Sequence, residues 1–204
     1  MADIDVLVLD CDGVVRHWDS DHFLRTAEQF GLTSEDLAAI AFEPQLLAAA
    51  MTGVLTAEAW NIEIGRRASA AHGVDAAALA EAFASLGWMI DGDVLAIVHD
   101  VRATGRARVA LFSNASTRLE RDLEASGIDT AFDVVFNSAR LGVAKPDPAA
   151  FRIVADTLGI WPERILFVDD QAANVDGARR AGMQAEQFTG ATRLRSLLEK
   201  AGLL

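Results

Sequence analysis

Four consecutive apolar residues, Val6-Leu7-Val8-Leu9, lead straight into Asp10-Cys11-Asp12-Gly13, and this junction restricts the fold more than any other stretch of the chain. An aliphatic, β-branched run without helical spacing reads as a strand buried on both faces, which occurs in sheets that helices cover from both sides. Residues i and i+2 of a strand share a face, so Asp10 and Asp12 would point into one small space if the strand continued regularly. Two carboxylates held that close need a shared proton or a divalent cation. Gly13 allows a sharp change of direction after them. The plainer reading is a strand end followed by an Asp-Gly turn.

Beyond Gly13 the hydrophobic period changes from strand to helix. From near Asp21 apolar residues fall at Phe23, Leu24, Ala27 and Phe30, with a stop at Gly31, and Thr33-Ser34-Glu35-Asp36 has the form of a helix start. From there to about Gly87 the chain is alanine-rich and helical in period. Breaks are expected at Pro44, Gly53, Gly65 and Gly73, and no strand is expected in that stretch. The second half alternates: helix over 94–103, strand 109–112, helix 116–126, strand 134–136, helix 148–158, strand 165–168, helix 174–181, strand 185–188 and helix 191–201. Such alternation predicts an α/β fold, a Rossmann-like parallel sheet with helices on both faces. Ligands of these sheets bind at the carboxyl ends of the strands.

Three more fragments stand at or just after such ends: Phe112-Ser113-Asn114, Ala144-Lys145-Pro146 and Phe167-Val168-Asp169-Asp170. Together with Asp10-Cys11-Asp12-Gly13, and in this order, they resemble the four motifs of the haloacid dehalogenase (HAD) superfamily. The phrasing Lys145-Pro146-Asp147 with Asp169-Asp170-Gln171-Ala172-Ala173-Asn174-Val175 resembles its bacterial sugar-phosphatase branch, similar to glucose-1-phosphate phosphatases. The resemblance implies a core of residues 1–16 and 91–204 and a small all-helical cap, 17–90, inserted after the first strand. It also implies a phosphatase for a small phosphorylated metabolite, a sugar phosphate in the first instance. In that scheme Asp10 accepts the phosphoryl group as an aspartyl-phosphate. Asp12 protonates the leaving oxygen, later activates water, and turns its backbone carbonyl to the metal.

The other motif residues fit that chemistry with alternatives beside them. Ser113 and Asn114 offer a hydroxyl, an amide and backbone N–H groups to phosphate oxygens, although both are also good helix-capping residues. Lys145 is one of two lysines, Lys200 being the other, in a chain that otherwise takes its positive charge from arginine. A compact ammonium at that point suits a phosphate site, where the bland alternative is a surface lysine before Pro146. Asp169 and Asp170 add carboxylates to the same sheet edge, so that Asp10, Asp12, Asp169 and Asp170 form an oxygen-only set suited to Mg²⁺. By analogy Asp170 binds the metal directly and Asp169 through water, an order that the residues alone leave open. Asn174 is expected to orient rather than ligate. In the cap, His17, Trp18 and His22 are the candidates to face substrate, while Phe42, Met51, Trp60 and Trp88 read as packing.

Rival chemistries are narrowed by single residues. Hydrolytic dehalogenases of the superfamily lack the second aspartate, since a halide needs no proton, and Asp12 is present. Phosphonatases need a cap lysine, and no lysine precedes Lys145. A Cys-based phosphatase would need arginine where His17 stands; Arg16 falls one position short, so Cys11, the single cysteine, reads as a small buried spacer. A phosphomutase and a non-catalytic binding protein on the same fold remain as alternatives. The net charge of −12 disfavours nucleic acid and anionic membranes as partners. Met1-Ala2-Asp3-Ile4-Asp5 has no basic leader pattern, and no apolar run reaches spanning length, so a cytoplasmic protein is expected.

Overall fold

The computed structural model describes residues 3–204. Met1 and Ala2, at the start that bears no basic leader pattern, lie outside the described residues. The first strand, β1 (Val6–Leu9), is buried along its whole length. Alternate residues feed two separate cores, as strand pleating requires. Leu7 and Leu9 pack with Val94, Val98, Leu123 and Leu198, whereas Val6 and Val8 pack with Phe112, Phe151, Phe167 and Val175. Full burial of each such side chain is worth about 1.5–3 kcal/mol, so the central strand needs helices on both sides.

In chain order, β1 is followed by β2 (Arg16–Trp18) and by the helices α1 (Ser20–Gln29), α2 (Ser34–Ala41), α3 (Pro44–Met51), α4 (Ala57–His72) and α5 (Ala76–Ala84). Then come β3 (Trp88–Ile90), α6 (Gly92–Thr104), β4 (Arg108–Ser113), α7 (Leu119–Ala125), β5 (Val134–Asn137), α8 (Ser138–Leu141), α9 (Pro148–Leu158), β6 (Ile165–Asp169), α10 (Ala172–Arg180), β7 (Gln184–Gln187) and α11 (Ala191–Lys200). The sheet has the order β5-β4-β1-β6-β7, all pairs parallel. Helices α6, α7 and α11 supply one face, and α9 and α10 the other. The predicted parallel sheet with helices on both faces is present.

Helices α1 to α5 carry an apolar cluster of their own, with Ala27, Leu37, Trp60, Ile64, Leu79 and Phe83 at its centre. Local signals set most of their ends. Thr33 and Asp36 form a reciprocal capping box at α2, Pro44 opens α3, and Gly73 closes α4 in the left-handed conformation. Two expectations are corrected. Gly65 does not break a helix but lies inside α4, because a Cβ there would stand 2.1 Å from the carbonyl oxygen of Ala76; the glycine lets α4 and α5 close on each other. The inserted unit is also not purely helical at its ends. Residues 16–18 and 88–90 pair antiparallel as β2 and β3, so the chain leaves and re-enters the sheet through a two-stranded ribbon. Such a pairing has no local period to announce it. Among the described residues no helix is long and apolar enough to cross a membrane.

Candidate active site

The site begins where β1 ends. The Asp10 N–H still donates to the Val168 carbonyl at 2.9 Å, holding the backbone beside β6 as it leaves the strand. The next residues curl round the Cys11 carbonyl, which accepts from the N–H groups of Val15 and Arg16 at 2.8 and 2.9 Å. Gly13 has φ +95°, and a Cβ on it would lie 2.6 Å from Asp170 Oδ2, so both conformation and space require glycine. Cys11 is wholly buried among the core residues, and burial pushes its thiol well above the ordinary range, as befits a spacer rather than a nucleophile.

Lys145, on the loop before α9, is 4% exposed and reaches the end of the sheet. Its Nζ donates to Asp10 Oδ1 at 2.7 Å, Asp169 Oδ2 at 2.6 Å and the Phe112 carbonyl at 2.9 Å. Three ammonium protons meet three acceptors, a geometry that a planar guanidinium would not reproduce. Burial alone would lower the Lys145 pKa, but Asp10 and Asp169 more than offset it, and the lysine stays charged. Burial likewise pushes the Asp10 carboxyl up to about 7, against the pull of Lys145. Asp10 Oδ1 also accepts from the Cys11 N–H at 2.7 Å, and no described residue donates to Oδ2.

The two carboxylates at the end of β6 differ. Asp169 is closed in: besides Lys145, it accepts from the Gln171 N–H at 2.8 Å and from Asn174 Nδ2 at 3.0 Å, which gives Asn174 its orienting place. Asp170 accepts from Gln171 Nε2 through Oδ2, but its Oδ1 is buried with no partner among the described residues. Asp10, Asp169 and Asp170 each offer an oxygen within 4.8 Å of the others. An orphaned buried carboxylate oxygen beside an oxygen-only cluster fits a hard divalent cation.

The Asp12 carboxylate is not part of that cluster. It receives Arg16 Nε at 2.5 Å and Arg16 Nη2 at 3.4 Å, and Ser113 Oγ lies 3.5 Å away. The side-chain oxygens gathered in the cluster are those of Asp10, Asp169 and Asp170. Arg16, missed in the sequence except as a failed thiol motif, is 3% exposed and lies 3.8 Å from the Trp88 ring centre. Asn114 does not cap a helix: Nδ2 donates to the Lys145 carbonyl at 2.7 Å, and Oδ1 accepts the Lys145 N–H at 2.8 Å. It aligns the lysine loop. Ser113, at the end of β4, is fully buried.

Above Asp12 lies a cavity of about 310 Å³ between the sheet end and the inserted helices. Trp18, a candidate to face substrate, lines it together with Phe42, Met51, Trp60 and Trp88, which read as packing in the sequence. His17 and His22 do not: His17 turns to Asp91 at 3.4 Å, and His22 lies outside the lining. Asn61, Arg16 and Arg118 also line the cavity. The sequence held no signal for Asn61 or Arg118, because an isolated polar residue carries no motif.

A family model described as haloacid dehalogenase-like hydrolase matches residues 4–182. Phosphatase MT3486 of Mycobacterium tuberculosis is 44% identical over 63 residues, which cover 31% of this chain and 29% of that protein. The matched stretches span less than half the length of the curated relatives. Among solved structures, a HAD family enzyme from Bacteroides thetaiotaomicron in complex with magnesium and inorganic phosphate has a TM-score of 0.74 at 19% identity, covering 91% of this chain and 94% of that one. A dehalogenase has a TM-score of 0.78 at 20% identity, covering 97% and 98%. At such identities these two speak for the fold.

Proposed function

The chain belongs to the haloacid dehalogenase-like hydrolase family, and from that premise we propose that it hydrolyses phosphate monoesters of small metabolites, with Mg²⁺ as cofactor. The observation that carries this reading is Asp12. A second carboxylate two residues after the buried Asp10 lines the cavity where a leaving group would lie. Halide displacement has no use for it, whereas an alkoxide needs its proton. Asp10 attacks phosphorus, the ester P–O bond breaks, and the leaving oxygen takes the proton from Asp12. Asp12 then takes a proton from water, whose oxygen attacks the aspartyl-phosphate and frees phosphate and Asp10.

Lys145 holds Asp10 in place and, with Ser113, faces the transferring group. Asp170, Asp10 and the Asp12 backbone carbonyl are the groups that would hold Mg²⁺, with Asp170 rather than Asp169 the direct ligand because its Oδ1 has no partner among the described residues while Asp169 is bound by Lys145 and Asn174. Bound there, the ion neutralises charge on the phosphoryl oxygens. Residues 17–90 act as the cap that covers the site. Sugar phosphates are among the small esters such a cap could admit. The acidic surface keeps nucleic acid and anionic membranes out of this reading.

Phosphate release from acetyl phosphate and a panel of metabolite monoesters tests the proposal. Release that requires Mg²⁺, stops in excess chelator, and leaves phosphate on an Asp10-containing peptide after rapid acid quench is expected. Equal release in excess chelator, or none from any ester with Mg²⁺ present, overturns it.

A further inference from the structure

The wall above Asp12 is largely aromatic. Trp18 and Trp88 lie with ring centres 4.0 Å apart, Phe42 meets Trp18 edge-on at 6.2 Å, and Phe83 meets Trp60 edge-on at 5.6 Å. The charged groups that line the cavity are already paired. Arg16 holds Asp12, and Arg118 binds Asp122 at 2.9 Å and the Ala84 carbonyl at 2.6 Å. Trp60 Nε1 is spent on the Ala41 carbonyl. Asn61, 9% exposed, lines the cavity and makes no side-chain hydrogen bond to any described residue; the Ser116 hydroxyl and the indole N–H groups of Trp18 and Trp88 are likewise unbonded among the described residues, but of these groups the amide offers the largest set of donor and acceptor sites. A polyhydroxylated leaving group would bury several hydroxyls against aromatic carbon, and each one left unpaired is costly.

Resting on the phosphatase reading, we propose that the leaving group selected here is a flat, unsaturated or aromatic ring with one hydrogen-bonding edge, the ring packing on the Trp18, Trp60 and Trp88 wall and the edge bonding to the Asn61 amide. About 310 Å³ is room for one such ring system rather than an extended chain. An amide both donates and accepts, so the edge can be a hydroxyl, a carbonyl or a ring nitrogen.

Tryptophan fluorescence reads this cavity, since three of the four tryptophans line it and the fourth, Trp161, is 74% exposed. In the Asp10→Asn variant, which binds without turning over, benzyl phosphate is expected to bind at least about tenfold more tightly than glucose 6-phosphate; both are primary alkyl esters that differ in the group offered to the wall. On the unaltered protein, benzylphosphonate against methylphosphonate gives the same comparison without a variant. Of the three hydroxybenzyl phosphates, the tightest should lose about tenfold in Asn61→Leu while benzyl phosphate changes by less than about twofold. Equal or tighter binding of the hexose ester, or an equal loss for every ester in Asn61→Leu, overturns the inference. Ring binding without phosphate release would overturn the phosphatase reading alone. Release without ring preference would overturn this inference alone.

Discussion

The two walls of the site are built on opposite principles. At the sheet end, charge is buried and almost wholly partnered: Lys145 ties Asp10, Asp169 and the Phe112 carbonyl together, and Asn114 clamps the lysine backbone. On the side of the inserted helices the wall is largely aromatic, with its charges paired to one another and Asn61 the amide left unbonded among the described residues. Chemistry needs groups fixed in position against developing charge, which a rigid parallel sheet supplies. Selection needs a shape, and packed helices supply that with side chains that can vary without touching the catalytic groups. Changes at the sheet end should therefore act on every substrate alike, and changes in the cap should sort substrates.

The largest effect is expected at Asp10. Asp10→Asn should lower turnover by about 10⁴-fold or more for every ester, since no other group there can accept the phosphoryl, and steady-state phosphate release checks it. Retained turnover would show that the sheet end is not where the chemistry sits. Lys145→Ala comes next, because it leaves two carboxylates buried without their cation. Denaturant unfolding should show a loss of about 3–5 kcal/mol, whereas Lys200→Ala at the exposed end of α11 should stay within about 0.5 kcal/mol of the unaltered protein. Equal losses would erase the contrast between buried and solvated lysine.

Asp12 sharpens the comparison, as it belongs to both walls. Asp12→Ala should slow release from an alkyl phosphate by about 10²- to 10⁴-fold and from an activated aryl phosphate much less, because only the former leaving group depends on its proton. Burst kinetics separate this from a slowed second step. In the cap, Gly65→Ala must push α4 from the Ala76 carbonyl. A stability loss of about 1–3 kcal/mol is expected by denaturant, with turnover of a ring ester falling further than that of acetyl phosphate. A neutral result would mean that the helix pair is looser than its packing suggests.

The smallest effect concerns the outer face of the cap, where hydrogen bonds from Arg66 and Arg67 hold the Glu63 carboxyl down at about 2. A depressed folded-state pKa contributes stability above the ordinary value of 4.5 that is lost as pH falls toward about 2. Solvent screening limits it to less than about 1 kcal/mol. The gap in melting temperature between the protein and Glu63→Gln should shrink as pH drops from neutral toward about 3. A gap that widens in acid would reverse the sign.

Much of the sheet was legible because its signals are local. Val6 to Leu9 is apolar on both faces, and the helix 148–158 is bounded by Asp147-Pro148 and Gly159, so burial and capping are written in neighbouring residues. The carboxylates were legible for the same reason: each lies at a strand end, and a parallel sheet collects such ends. The ribbon of β2 and β3 was not, since three-residue strands paired across the whole inserted unit leave no period to read. Gly65 misled because a glycine has no side chain to say whether it stops a helix or admits a neighbour.

The sequence by itself determined the parallel sheet, the order of its elements and the gathering of Asp10, Asp12, Ser113, Lys145, Asp169 and Asp170 at one edge. These follow from burial periodicity and strand direction, which act over a few residues at a time. Tertiary structure alone decided which groups were already taken. It turned Asn114 to the Lys145 backbone, Asp169 to Lys145, and Asp12 to Arg16, while Asp170 Oδ1 kept no partner among the described residues. It also made a cavity wall of Trp18, Trp60 and Trp88 and left His17 and His22 out of it. Hydrogen-bond partners and cavity walls depend on distances between residues far apart in the chain, and a list of residue types does not contain those distances.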